Sequence, residues 1–193
     1  MQQIVLSLSL VLVISGFLQG CAEVVVGGAA ATATAAHDRR TLGGFVEDQS
    51  IEFKAGRKLI SDPEIRQQCQ INVTSYNMVV LLTGQAANQE LRERAERLVS
   101  GVEKVRRVVN EVEIGSVASV AELTRDAALT AEIKFRLTRI ELPDFDPLRV
   151  KVISELGVVF LMGLLTQAEA QAVTDMVRHV SGVRRVVKVF EYI

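Results

Sequence analysis

Val158-Val159-Phe160-Leu161-Met162-Gly163, followed 20 residues after the glycine by Val183-Arg184-Arg185-Val186-Val187, is the stretch from which the fold can be read. It repeats an earlier one. Val79-Val80-Leu81-Leu82-Thr83-Gly84 precedes Val105-Arg106-Arg107-Val108-Val109 by 21 residues. A one-residue change in spacing is absorbed by a helix or loop but not inside a paired strand, where it would turn every side chain to the other face. The repeat also extends backwards: Ile71-Asn72-Val73 and Val150-Lys151-Val152 each begin 13 residues before their glycine. The chain of 193 residues therefore carries two tandem units, each near the lower size limit for an independent core, so the two are expected to support one another.

Hydrophobic spacing supplies the elements. Ile51, Ala55 and Leu59 mark one face of a helix that ends at Ser61-Asp62-Pro63. Ile71–Thr74 alternates as a strand, Ser75-Tyr76-Asn77 turns, and Met78–Thr83 reads as a buried strand closed by Gly84. Asn88 caps a helix with the stripe Leu91, Ala95 and Leu98-Val99, ending near Gly101. Glu90/Arg94 and Glu93/Arg97 form (i, i+4) pairs on its solvated side. Val105–Ile114 is a third strand, giving the order αββαβ over 48–114. Gly115–Ser119 reads as a flexible joint within a linker, 115–121. The second unit, 122–193, repeats the order: a helix over 122–140, the loop Leu142–Pro147, a hairpin turning at Glu155-Leu156-Gly157, a helix over 166–180 capped by Thr166 and Glu169, and a last strand, Val183–Ile193. Asp144 and Asp146 read as loop chemistry, being far short of a calcium loop.

The chain begins with an apolar run, Ile4–Leu18, too short for a comfortable bilayer span but suited to a secretory signal. Leu18-Gln19-Gly20-Cys21 then looks like a bacterial lipobox, although residues 2–20 contain no Lys or Arg. The expectation is a signal peptide over 1–20 and a tether over 21–47, with palmitate-type acyl chains and a diacylglycerol thioether on Cys21. Ala22 in place of Asp favours export to the outer membrane, by analogy with enteric sorting. His37-Asp38-Arg39-Arg40 reads as a solvated charged transition, and Cys69 as a buried, inert thiol.

Composition excludes several classes. The net charge is −1, and 48–114 and 122–193 each hold ten acids and ten bases, so nucleic acid is not an expected partner. The two histidines, His37 and His179, assemble no catalytic set, and no metal or nucleotide motif is present, so no enzyme, cofactor or metal is expected beyond the lipid on Cys21.

One helix stands apart. Beside the core stripe Leu129, Ile133 and Leu137, the 122–140 helix carries a second stripe, Ala128, Ala131 and Phe135, flanked by Arg125, Lys134, Arg136 and Arg139. An apolar residue among bases suits a helix lying in a membrane interface. Packing of Phe135 against the first unit is the equal alternative.

The repeat unit resembles the BON domain. Gly157-Val158-Val159-Phe160-Leu161-Met162-Gly163 and Ser181-Gly182-Val183-Arg184-Arg185-Val186 fit that pattern well. The first copy fits less strictly, with Asn77-Met78 in place of the first glycine. With the lipobox in front, the chain resembles the dual BON-domain lipoproteins of the Gram-negative outer membrane. That resemblance implies an α+β fold of two αββαβ domains, each a three-stranded sheet packed on two helices. It implies a lipid-anchored protein on the periplasmic side of the outer membrane. It also implies binding of anionic phospholipid through the first helix of the second domain, a role in envelope integrity, and enrichment at the division site. On this chain the implied lipid-binding residues are Arg125, Ala128, Leu129, Ala131, Lys134, Phe135, Arg136 and Arg139. The family's lipid-facing Trp falls at Ala128, and Phe135, two helical turns along the same face, is expected to replace it. The alternative is a tethered periplasmic adaptor that binds an envelope protein through an edge strand.

Overall fold

The computed structural model describes residues 39–193. The expected signal peptide, Cys21 and most of the tether lie outside the described residues. The first unit runs α1 (Leu42–Ser61), α2 (Pro63–Gln68), β1 (Cys69–Tyr76), β2 (Val79–Ala86), α3 (Gln89–Ser100), β3 (Arg107–Asn110) and β4 (Glu113–Ile114). The second runs α4 (Val120–Leu137), a 3-10 turn (Pro147–Arg149), β5 (Lys151–Glu155), β6 (Val158–Leu165), α5 (Gln167–Val177) and β7 (Arg185–Tyr192).

In each unit an antiparallel hairpin is followed by a helix that returns the chain parallel to the hairpin's second strand, giving the orders β1-β2-β3 and β5-β6-β7. The central strands are buried on both faces and divide the core. In β2, Val80, Leu82 and Ala86 meet Ile51, Ala55 and Leu59 of α1 and Leu91, Ala95 and Val99 of α3. In β6, Val159, Leu161 and Leu165 meet Leu129, Ile133 and Leu137 of α4 and Val173 and Val177 of α5. The alternate residues face the other way. Tyr76, Val79 and Leu81 pack against Val158, Phe160, Met162 and Val189, so the sheets lie face to face with the helices outside. This third cluster is the mutual support that two small units need. Polar pairs tie its margins: Gln85 Nε2 donates to Glu155 at 2.7 Å, Asn77 Nδ2 to Glu191 at 2.7 Å, and Arg185 pairs with Glu111.

Several sequence expectations are revised. The first helix begins at Leu42, within the stretch expected to be tether, where Thr41 Oγ1 accepts from Gly44 N as its cap. Asp62 ends α1 but at once caps α2, a third helix in the first unit, with Pro63 at its first position. Gly84 does not close β2. It sits mid-strand opposite Ile71 at φ +109°, where a Cβ would fall 2.0 Å from the Gln70 carbonyl oxygen. The strand expected over Val105–Ile114 is interrupted. Asn110 Oδ1 takes the Val112 amide, Val112 turns into the core, and β4 then rejoins β2.

The joint is not loose either. Ala118 N donates to Gln85 Oε1, and Ser119 with Glu122 forms a capping box, so the helix starts at Val120 and ends at Leu137. The α5 helix, capped by Thr166 and Glu169 as expected, ends at Val177. Finally, Arg39 and Arg40 are not a solvated transition. Arg39 pairs with Glu169 and donates to the Leu164 carbonyl in the second unit, while Arg40 pairs with Asp48 and stacks 3.9 Å from the Tyr76 ring centroid in the first. The two arginines tie the residues just before α1 to both units.

Candidate functional site

The orientation of α4 is set by its core stripe and by a buried acid. Asp126, one turn before Leu129, accepts from the Leu156 and Gly157 amides at 2.7 and 3.0 Å. Leu156 and Gly157 sit at φ +48° and +75°, the left-handed pair of a tight hairpin turn, so helix and hairpin are locked together. The first unit repeats the device 78 residues earlier. Asp48 is 1% exposed and accepts from the Asn77 and Met78 amides, the Ser75 hydroxyl and Arg40.

With its core side fixed, α4 presents Phe135 outward, 55% exposed, with the Arg139 guanidinium 4.5 Å from the ring centroid. Phe135 therefore does not pack against the first unit. Ala128 and Ala131 are also exposed, whereas Leu129 belongs to the core and reaches the surface only at the wall of a cleft. Arg136 is held by Glu132 at 2.6 Å. Arg125, Lys134 and Arg139 make no ion pair among the described residues. Glu122 is engaged by the cap, and the Ser119 hydroxyl and backbone amide hold its carboxyl below the usual range. The outer face thus offers an aromatic ring and three uncommitted cations.

A cleft opens on each side of this ridge. One, about 630 Å³, lies between the first half of α4, the Leu156-Gly157 turn and the Ser181–Arg184 loop. Its walls are mostly apolar, and both acids (Glu122, Asp126, Glu132) and bases (Arg125, Arg184) line it. The other, about 700 Å³, runs between α4 and β1, and Ala131 and Lys134 face Asn72–Thr74 across it. The expected site residues are therefore split. Arg125, Ala128 and Leu129 border the first cleft, Ala131 and Lys134 the second, and Phe135 and Arg139 crown the ridge toward its C-terminal end.

Other groups bear on the site or its stability. Burial pushes the Glu155 carboxyl up, against hydrogen bonds from Gln85 and Asn72 that pull it down. Cys69 is half-buried rather than buried, and what burial it has pushes the thiol up. No group of His, Cys, Asp and Glu among the described residues is arranged to hold a metal ion. Among the described residues no helix is long and apolar enough to cross a membrane. Sequence reasoning passed over Asp48 and Asp126. Aligning the two copies by their core stripes would have placed them at one position.

Comparison with known proteins follows the same division. The family description "BON domain" matches residues 47–116 and again 125–193. The chain is 40% identical over 180 residues to Outer membrane lipoprotein DolP of Haemophilus influenzae, covering 92% of this chain and 91% of that protein. It is 36% identical to the 21 kDa hemolysin of Actinobacillus pleuropneumoniae, over 81% of this chain and 79% of the relative. It is 32% identical to Osmotically-inducible protein Y of Escherichia coli, over 75% and 72% respectively.

Proposed function

We propose, from the premise that this chain belongs to the BON-domain family and carries two copies of that domain, that it is an outer-membrane lipoprotein that binds anionic phospholipid through α4 and helps to maintain the envelope. The observation that carries this reading is Phe135, exposed on the side of α4 opposite the core and stacked under Arg139, with Lys134 and, farther along the helix, Arg125 uncommitted. A helix of this kind gains from burying its ring among acyl chains and from attraction between its cations and anionic headgroups, each base contributing about 1 kcal/mol near the surface. The name of the Haemophilus relative supports the location, and Leu18–Cys21 supplies the acylation signal that would hold the protein there, facing the periplasm. Enrichment at the division site belongs to the same proposal, since local accumulation of anionic lipid would recruit such a helix.

Vesicle flotation tests it. Residues 22–193, which contain the whole described fold without the acylated cysteine, should float with phosphatidylglycerol vesicles and not with phosphatidylcholine vesicles. If they float with neither, the lipid reading fails. Recovery of one envelope protein by crosslinking in cells would then identify the chain as a tethered adaptor. The outer strands β3 and β7 are edges that could serve such a role.

A further inference from the structure

The first unit has an apolar face of its own. Leu42, Val46, Phe53 and Ile60 are 63–67% exposed, and at helical spacing they fall within an arc of about 40° along the whole of α1. Ile51, Ala55 and Leu59, on the opposite side, fill the core. Large apolar side chains exposed in one continuous row are not needed to build the fold.

We infer that this row is a second membrane-contacting surface, able to take an anionic bilayer on the side of the paired sheets away from α4. Its occupant follows from charge and reach. Every acid on α1 is already engaged: Glu47 by Lys104, Asp48 by the hairpin turn and Arg40, and Glu52 by the Ser75 amide and Lys151. Of the bases, Arg57 sits 5.8 Å from the Phe53 ring centroid with no acid partner among the described residues, the arrangement seen again at Arg139 and Phe135. The face is therefore apolar with a cationic margin, which complements anionic headgroups and repels a basic partner. Reach agrees. Only residues 22–41 separate Cys21 from Leu42, a span of about 70 Å at full extension, so acylation at Cys21 would keep α1 near the membrane.

The chain contains no tryptophan, so Phe53→Trp introduces a single reporter. In residues 22–193 its emission should shift to the blue on addition of phosphatidylglycerol vesicles and be quenched when the acyl chains are brominated. Emission that ignores the vesicles overturns the inference. So does a blue shift that follows protein concentration without lipid, which would assign the row to a second copy of the chain. In parallel, Phe53→Glu/Ile60→Glu should lower partition into these vesicles by about tenfold, the scale of losing one buried aromatic and one aliphatic contact at an interface. Its melting temperature should stay close to that of the wild type, because both side chains are exposed. Undiminished partition would again overturn the inference. The arms separate the two surfaces. Loss on Phe53→Glu/Ile60→Glu with none on Phe135→Ala keeps this surface and removes α4. Loss on Phe135→Ala alone does the reverse. A wild-type chain that fails to partition removes both.

Discussion

Removing the Asp48 carboxylate should be among the most damaging single changes to the first unit. Its two oxygens accept from four donors: Ser75 Oγ at 2.6 Å, Met78 N at 2.7 Å, Asn77 N at 2.8 Å and Arg40 Nη1 at 2.6 Å. In Asp48→Ala two peptide N–H groups lose their partner inside a turn whose residues, Asn77 and Met78, already hold left-handed backbone at φ +50° and +62°. Each orphaned buried donor costs about 1–3 kcal/mol, and breaking a buried ion pair from one side costs about 3–5 kcal/mol. Arg40 keeps its stacking on Tyr76, which softens the second term. A net loss of about 4 kcal/mol follows, or about 10 °C in melting temperature for a fold of this size. Asp126→Ala strands only the Leu156 and Gly157 amides and should cost about half as much. Urea titration followed by circular dichroism on residues 22–193, analysed by linear extrapolation, measures both. A cost below about 1 kcal/mol for Asp48→Ala, or a larger cost for Asp126→Ala, would refute the assignment of Asp48 as the lock between helix and hairpin.

Two further predictions concern pH. Burial raises the Glu155 carboxyl in the folded state, so its contribution is fully present below the unfolded value and is lost as pH rises through the folded one. Melting curves between pH 4.5 and 7 should show a smaller loss in Glu155→Gln than in the wild type, and equal losses would show that Glu155 is not the group responsible. Glu169 is the opposite case. Burial pushes it up, but Arg39 and the Thr166 cap more than reverse this and leave it lowered, so its contribution is present above the usual carboxylate range and lost as pH falls through the lowered value. Arg39→Ala should lower stability at pH 7 by about 1–2 kcal/mol and move the acid-side loss to higher pH. An unchanged acid limb would mean that Glu169 is held low by its cap and by Arg149, 3.5 Å from its carboxylate, without need of Arg39.

The sequence was most informative where periodicity and turn chemistry agree. The stripes Ile51/Ala55/Leu59 and Leu129/Ile133/Leu137, the Leu156-Gly157 turn, and the caps at Asn88 and Thr166 all appear where spacing placed them. It misled where a residue's role depends on a distant partner. Gly84 ends a hydrophobic run, yet it stays in the ladder because the Gln70 backbone crosses too closely for a Cβ. Arg39 and Arg40 look like linker charges until Glu169 and Asp48 meet them, 130 and 8 residues away. The outward position of Phe135 was undecidable from α4 alone, since two packed units could have covered it. The row on α1 is hidden in the sequence because Leu42 and Val46 fall in the stretch that reads as tether, which leaves Phe53 and Ile60 isolated.

The central claim is that the outer face of α4 binds anionic lipid, and the partition coefficient of Phe135→Ala/Arg139→Ala in residues 22–193 tests it most directly. Loss of an exposed ring and one interfacial cation should reduce partition into phosphatidylglycerol vesicles between about tenfold and a hundredfold, with melting temperature unchanged because both side chains lie outside the core. Partition equal to that of the wild type, in a variant that melts normally, would contradict the account.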